Sequence, residues 1–246
     1  GSRGAALLSD YSDDPGNRGL LMKDPAAFLN DVRAAMDCGL QVNTHAIGDR
    51  ANRVVLDAYE TAMNEREQHR GRHRVEHAQI LHPDDLPRFT ALDVIAAMQP
   101  THATSDMYWA KERLGEERLQ GAYAWQSLLD SGARLALGSD FPVEQVNPLL
   151  GFHAAITRQD AENWPEGGWR PEERLSREAA LRGFTLDAAY AGFQEDTLGS
   201  LEPGKRADFV ILSHDIMQVP PPQILKTDVL ATYLDGVAVY KADAAL

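Results

Sequence analysis

The chain has 246 residues, 43% of them hydrophobic, enough to bury a sizeable core as one large α/β domain or one and a half smaller ones. Its formal net charge of -13 argues against nucleic acid and anionic membranes as partners, since like charges repel, and fits a well-solvated surface. No apolar stretch approaches bilayer-spanning length, and a single cysteine, Cys38, excludes an internal disulfide.

The chain opens without Met and without a signal-like segment. Gly1-Ser2 reads either as a tag remnant or as native loop, because Gly1 to Leu8 runs on without a change in character. Residues 1–23 carry turn chemistry at Asp13-Asp14-Pro15-Gly16 and are expected to be a loop. Asp24-Pro25 then supplies an N-cap and a first-turn proline, for a helix running to about Cys38 and stopped by Gly39. Cys38, in its last turn, is expected to be a small buried residue. Leu40 to Thr44 reads as a strand. Asp49 is expected to cap a helix to about Gln68, with Val54, Val55, Ala58, Tyr59 and Ala62 on one face.

A second strand ends at His77, a helix covers about Pro83 to Leu92, and Val94 to Met98 is a third strand. The segment Gln99 to Leu119 is expected to be a long functional loop. A helix from about Gly121 to Asp130 precedes the fourth strand, which ends in Gly138-Ser139-Asp140-Phe141-Pro142. Further helices are expected at about Pro148 to Gln159 and from Ser176 to about Ala191, around a Trp-, Pro- and Gly-rich insert. The strand–helix alternation favours a parallel sheet.

After Gly192 the pattern changes, and a boundary is placed near residue 198. Residues 1–198 form the α/β unit, and residues 199–246 form a β-rich segment. The latter has a strand near Ala207 to Leu212 and a hairpin, Val229 to Leu234 and Val237 to Tyr240, around Asp235-Gly236. Such a tail is too small to stand alone and is expected to complete a sheet begun elsewhere. Only four strand–helix units are found, whereas a closed parallel barrel needs eight.

Three strands stop on residues capable of metal or proton chemistry: His45, His77 and Asp140. In a parallel barrel such ends converge on one rim. Neutral imidazoles there are good metal ligands, though an isolated strand-end His is more often a hydrogen-bonding residue. Neighbouring strand residues face opposite sides, so His77 is taken for the site and Glu76 either for a supporting partner behind it or for an ion pair with an arginine. Asp140 has the chemistry of a proton acceptor beside activated water, against the alternative of a helix N-cap. His102 is a candidate contact for a substrate carbonyl or oxyanion, or else an ordinary loop residue. His69, His73 and His82 are expected on the solvated surface. Arg158 is a candidate carboxylate anchor or, more ordinarily, a partner in a surface salt bridge. No P-loop, dinucleotide fingerprint or Gly-x-Ser-x-Gly elbow is present, and Cys38 lacks an activating context.

With these residues in place, the chain resembles the amidohydrolase superfamily of metal-dependent hydrolases. It is most similar to the branch holding N-substituted formamide deformylases and broad amidases. The resemblance is carried by Gly1-Ser2-Arg3-Gly4-Ala5-Ala6-Leu7-Leu8, Thr44-His45-Ala46-Ile47-Gly48-Asp49, Val75-Glu76-His77-Ala78-Gln79, Met98-Gln99-Pro100-Thr101-His102, Gly138-Ser139-Asp140-Phe141-Pro142 and Leu201-Glu202-Pro203-Gly204-Lys205-Arg206-Ala207-Asp208. It implies the C-terminal half of a (β/α)8 TIM-like barrel, strands 5–8, followed by the C-terminal strands of a small β-sandwich. His45 would then end the fifth strand, His77 the sixth and Asp140 the eighth.

The resemblance implies hydrolysis of amide, N-acyl or N-formyl C–N bonds by water activated on one or two divalent cations, zinc above all. His45, His77 and Asp140 are the implied ligands. Asp140 is also the implied catalytic base, and His102 contacts substrate. The family's first-strand His-x-His pair and fourth-strand bridging ligand would lie upstream of Gly1. These residues are therefore expected to be a fragment, inactive alone, of a protein roughly twice as long, needing its N-terminal half. A small amide-type substrate, a possible homo-oligomer and a cytoplasmic location complete the expectation. The alternatives are a deaminase or other hydrolase on the same scaffold, and a non-catalytic barrel-derived binding protein.

Overall fold

The computed structural model describes residues 3–67 and 71–242. The readings made for Gly1-Ser2, for Gln68 as a helix end, for His69 and for residues 243–246 lie outside the described residues. After an N-terminal loop, α1 (Pro25–Asp37) begins where expected, because the Asp24 carboxylate accepts the amides of Ala26 and Ala27 at 3.0 and 3.2 Å. Gly39, with φ 68°, closes it. Cys38 is exposed, contrary to expectation: α1 buries Val32 and Met36, and its C-cap has already turned from that stripe.

The strand β1 (Asn43–Ala46) leads into α2 (Asp49–Asn64), which buries Val55, Leu56, Tyr59, Ala62 and Met63 on one stripe. Its N-cap is Gly48 and not Asp49. A Cβ at position 48 would lie 2.0 Å from the Ala6 carbonyl oxygen, so only glycine allows this approach. Asp49, 4% exposed, instead accepts the Leu8 amide at 2.8 Å and ties the N-terminal loop down.

Next come β2 (Arg74–His77), a 3-10 turn at Pro83–Asp85, α3 (Leu86–Ala91), β3 (Ile95–Met98) and α4 (Pro100–Arg118). The last replaces the expected long loop. Pro100 opens it, and Ala103, Met107, Ala110 and Leu114 recur every three or four residues as a buried stripe. Gly115, with φ 75°, interrupts it near its end. A 3-10 turn, Leu119–Gly121, delays α5 to Trp125–Asp130. Then follow β4 (Leu135–Leu137), α6 (Pro148–Thr157), α7 (Arg177–Phe184) and α8 (Leu186–Ala191). The single helix expected over 176–191 is thus two, broken at Thr185 (φ −127°, ψ −85°).

Strands β1 to β4 form one sheet in sequence order, every pairing parallel. Helices supply the crossovers that parallel strands require. Alternation splits β3 and β4 between two apolar clusters. Ala96, Met98, Leu135 and Leu137 join the main core, while Ile95, Ala97 and Ala136 pack with Ala191 on the other face.

A second sheet holds β5 (Phe209–Leu212), β6 (Val229–Leu234) and β7 (Val237–Lys241), antiparallel throughout, with the short α9 (Pro221–Ile224) between β5 and β6. Asp235 and Gly236 turn the hairpin with φ of 51° and 77°, the left-handed pair that matches strand twist. Leu212, Ile216, Met217, Val219 and Ile224 pack against the main core. Among the described residues, no helix is long and apolar enough to cross a membrane.

Candidate metal and hydrolytic site

Three of the four singled-out site residues meet at the C-terminal ends of the parallel strands. Ligand atoms of His77, His102 and Asp140 all lie within 4.8 Å of one another. His45 stands outside that triad, but its ring meets the His77 ring edge-on, with centroids 4.4 Å apart. The structure therefore draws His102 into the group more closely than the sequence foresaw.

The backbone explains how His45 and His77 come together. The parallel register pairs His45 with Glu76, so alternation alone would send His77 to the opposite face with Val75. His77 has φ 81° and Ala78 φ 45°, a left-handed turn that swings the imidazole back towards His45. Asp140 is likewise left-handed, at φ 59°. Non-glycine residues held in this region cost about 1–3 kcal/mol each and concentrate where function requires them. Glu76 pairs with Arg74 at 2.9 Å, the ion pair that was one of the two roles expected for it.

His77 is 8% exposed. Burial first, and then the neighbouring His45, lower its pKa below the usual imidazole value, which favours the neutral ring that ligates cations. Its Nδ1 lies 2.9 Å from Gln99 Oε1. The Gln99 amide donates through Nε2 to the Ala97 carbonyl at 3.3 Å, which leaves Oε1 as acceptor. Nδ1 thus carries the proton, and the Nε2 lone pair is free for a cation.

His102 lies in the first turn of α4 and not on a loop; it is 8% exposed and stacked against His77 with centroids 5.6 Å apart. Gln79 Nε2 sits 3.0 Å from His102 Nδ1, and His102 Nε2 is 3.6 Å from Asp140 Oδ2. That Nε2 is a buried atom without a hydrogen-bond partner among the described residues. Asp140 is not the cap of the following helix, since Asn147 performs that task by accepting the Leu149 amide at 3.0 Å. The His45 and His77 imidazoles and the Asp140 carboxylate offer N/O donors suited to a divalent cation, and His102, whose Nδ1 accepts from Gln79, presents a buried Nε2–H beside them.

Gln79 and Gln99 are the residues that the sequence reading missed. Both sit inside the quoted motifs, two residues beyond His77 and one beyond Met98, but an isolated glutamine carries no signature of orienting a ring.

Two other readings are corrected here. His73 is 1% exposed, and its Nδ1 accepts the Val42 amide at 3.0 Å, so it is a structural pin between strand ends and not surface. His82, as expected, is solvent-accessible at its side chain and caps the 3-10 turn. Arg158 is neither anchor nor surface ion pair. Its left-handed C-cap position turns it into the core, where it donates to the Trp169 and Tyr123 carbonyls at 2.9 and 3.0 Å. Its guanidinium lies 4.2 Å from the Trp125 ring centroid, a cation held on an aromatic face.

The mixed α/β fold with its parallel sheet has metal-dependent hydrolases among its structural neighbours. The chain belongs to the Amidohydrolase family, which it matches over residues 1–240. It is 42% identical over 241 residues to Protein LONG AFTER FAR-RED 3 of Arabidopsis thaliana, covering 98% of this chain and 41% of that protein. It is 30% identical over 214 residues to an N-substituted formamide deformylase of Arthrobacter pascens, covering 85% of this chain and 38% of that enzyme. The crystal structure of an uncharacterized metal-dependent hydrolase from Pyrococcus horikoshii superposes with a TM-score of 0.78 at 33% identity, covering 89% of this chain and 43% of that one. The chain therefore spans less than half the length of these relatives.

Proposed function

We propose that this chain is the C-terminal part of a metal-dependent hydrolase of C–N bonds, acting on amides or on N-acyl and N-formyl amines. The observation that carries the reading is the convergence of His77, His102 and Asp140 within 4.8 Å, with the His45 ring against His77. The similarity to a formamide deformylase supports the choice of bond.

In this reading β1 to β4 are strands 5–8 of a (β/α)8 barrel, residues 1–198 are its second half, and residues 199–246 belong to a β-sandwich. An N-terminal half completes the site. His45 and His77 would hold one or two divalent cations, zinc first among them. The chemistry such a cation would supply is Lewis acidity at the scissile carbonyl and a lowered pKa of bound water.

The chain's own residues do the rest. Gln99 fixes the His77 ring with Nε2 presented to the site. Asp140 accepts the proton of the attacking water and returns it to the departing amine. Gln79, donating to His102 Nδ1, leaves the proton on Nε2, so that His102 directs a donor at Asp140 and at the substrate oxygen. The location proposed is cytoplasmic.

The test is a screen of N-formyl and N-acyl amines with the full-length gene product, alongside its metal content. Turnover with one to two equivalents of bound metal, lost when a chelator strips it, is the expected result. A correctly folded, metal-free protein without turnover would overturn the proposal.

A further inference from the structure

We propose that the cleft between the N-terminal loop and α4 is a binding subsite for a short carboxylate, with Arg113 and Trp109 as its donors. Its placement beside a hydrolytic centre rests on the function proposed above, which it deepens by naming a substrate class. The substrates would be amides whose acyl or N-substituent ends in a short carboxylate.

The cleft has a volume of about 100 Å³ and is walled by Ala5, Leu7, Ile80 and Leu114. Trp109 and Arg113 also line it, four residues apart on α4 and so on one face of that helix. The Arg113 guanidinium carbon lies 5.9 Å from the Trp109 ring centroid. Arg113 Nε and Nη1 and the Trp109 indole Nε1 are all buried atoms without a hydrogen-bond partner among the described residues. Buried polar atoms are nearly always satisfied in folded proteins, so three such donors on one cleft call for an acceptor.

The contrast with Arg3, on the same cleft, sharpens the assignment. Arg3 is already engaged by Asp13, through Nε at 3.1 Å and Nη2 at 2.7 Å. Arg113 Nε and Nη1 find no hydrogen-bond acceptor among the described residues. An acceptor that carries negative charge and offers no donor matches a guanidinium and an indole N–H, and a carboxylate is that group. A cleft of about 100 Å³ suits a small group rather than a large one. Besides the apolar walls the lining holds Tyr11, Tyr123 and Asp106, and the Asp106 carboxylate already accepts the Tyr123 hydroxyl, so the donors still without a partner among the described residues are those of Arg113 and Trp109. Gln79 lines the cleft and also holds His102 at 3.0 Å, so an occupant here borders the amide that orients the site imidazole.

The experiment titrates the full-length product, stripped of metal, with acetate, propionate and butyrate, and with neutral butyramide as the isostere, following the arginine Nε and tryptophan indole resonances by NMR. Butyrate is expected to saturate and to shift one arginine and one indole signal. Butyramide should bind at least tenfold more weakly. Arg113→Met should weaken butyrate at least tenfold, while the surface control Arg18→Met leaves it unchanged. Trp109→Phe, which keeps the ring and removes one donor, gives a second handle should Arg113→Met fail to fold; it should weaken butyrate at least threefold. Equal affinity for butyrate and butyramide, or unaltered butyrate binding in either variant, would overturn the subsite. Loss of amide hydrolysis with butyrate binding intact strikes only the function proposed above. Hydrolysis with binding absent strikes only this inference.

Discussion

Asn52 offers the cleanest test of how the strand ends are held in place. It is fully buried on α2, and its side-chain amide donates to the Gly48 carbonyl at 2.9 Å and the Ile80 carbonyl at 3.1 Å. It thereby clamps the turn after His45 to the segment after His77. The Gly48 oxygen also receives the Asn52 backbone amide, whereas Asn52 Nδ2 is the donor that the Ile80 oxygen finds among the described residues. Asn52→Leu keeps the side chain's size, suits a helix better, and removes both side-chain donors. A stranded buried carbonyl costs about 1–3 kcal/mol, and the lost second bond about 0.5–1.5 kcal/mol more. The expected destabilisation is therefore about 1.5–4.5 kcal/mol, a large share of a typical total of about 5–15 kcal/mol. Urea unfolding followed by circular dichroism measures it as a fall in midpoint at constant m-value. A loss under about 0.5 kcal/mol would show that the clamp is incidental and that β-strand packing alone fixes the rim.

Three further outcomes follow from the site and its surroundings. Gln99→Leu removes the acceptor that fixes His77, and should weaken metal binding by the full-length product about 10–100-fold in a competition titration; unchanged affinity would refute the assigned role. Asp140→Asn should lower kcat by about 10²–10⁴-fold, and a fall of less than tenfold would remove Asp140 from proton transfer. His153 is buried against Asn163, and burial lowers its pKa below the ordinary 6.5. The unfolded chain therefore binds the proton first as pH falls, so the stabilisation present above about pH 6.5 is lost below it, by at most about 1.4 kcal/mol per pH unit. His153→Gln should flatten the stability profile between pH 7 and 5; an identical slope would place the titration elsewhere.

Much of the architecture was legible because local signals agreed with one another. Asp24-Pro25 and Gly39 bracket α1 with cap chemistry that needs no tertiary help, and Asp235-Gly236 marks the hairpin for the same reason. The failures share a different cause. The polar residues after Met98 mask the Ala103–Met107–Ala110–Leu114 stripe, so the segment reads as a long loop although it is helical. Cap chemistry at Asp49 and a polar neighbourhood at His73 misled because long-range partners claimed both side chains. Asp49 serves the Leu8 amide and His73 the Val42 amide, and neither contact has a local pattern to betray it. Arg158 shows the limit of residue-type reasoning, since two indole faces and two carbonyls make the core hospitable to a guanidinium.

The candidate site divides along the same line. That His45, His77 and Asp140 stand where strands end could be read from the sequence, because hydrophobic runs stop on them. How they are brought together could not. Strict alternation argues against His45 and His77 sharing a face, and the structure escapes it through a left-handed backbone at His77 and Ala78. Nothing in Val75-Glu76-His77-Ala78-Gln79 announces positive φ at two non-glycine residues. Gln79 and Gln99 then complete the arrangement by holding the two imidazoles at 3.0 and 2.9 Å. Strain at the strand ends and amides behind the rings belong together physically. A backbone forced into a costly conformation keeps it only where fixed partners reward the orientation that results.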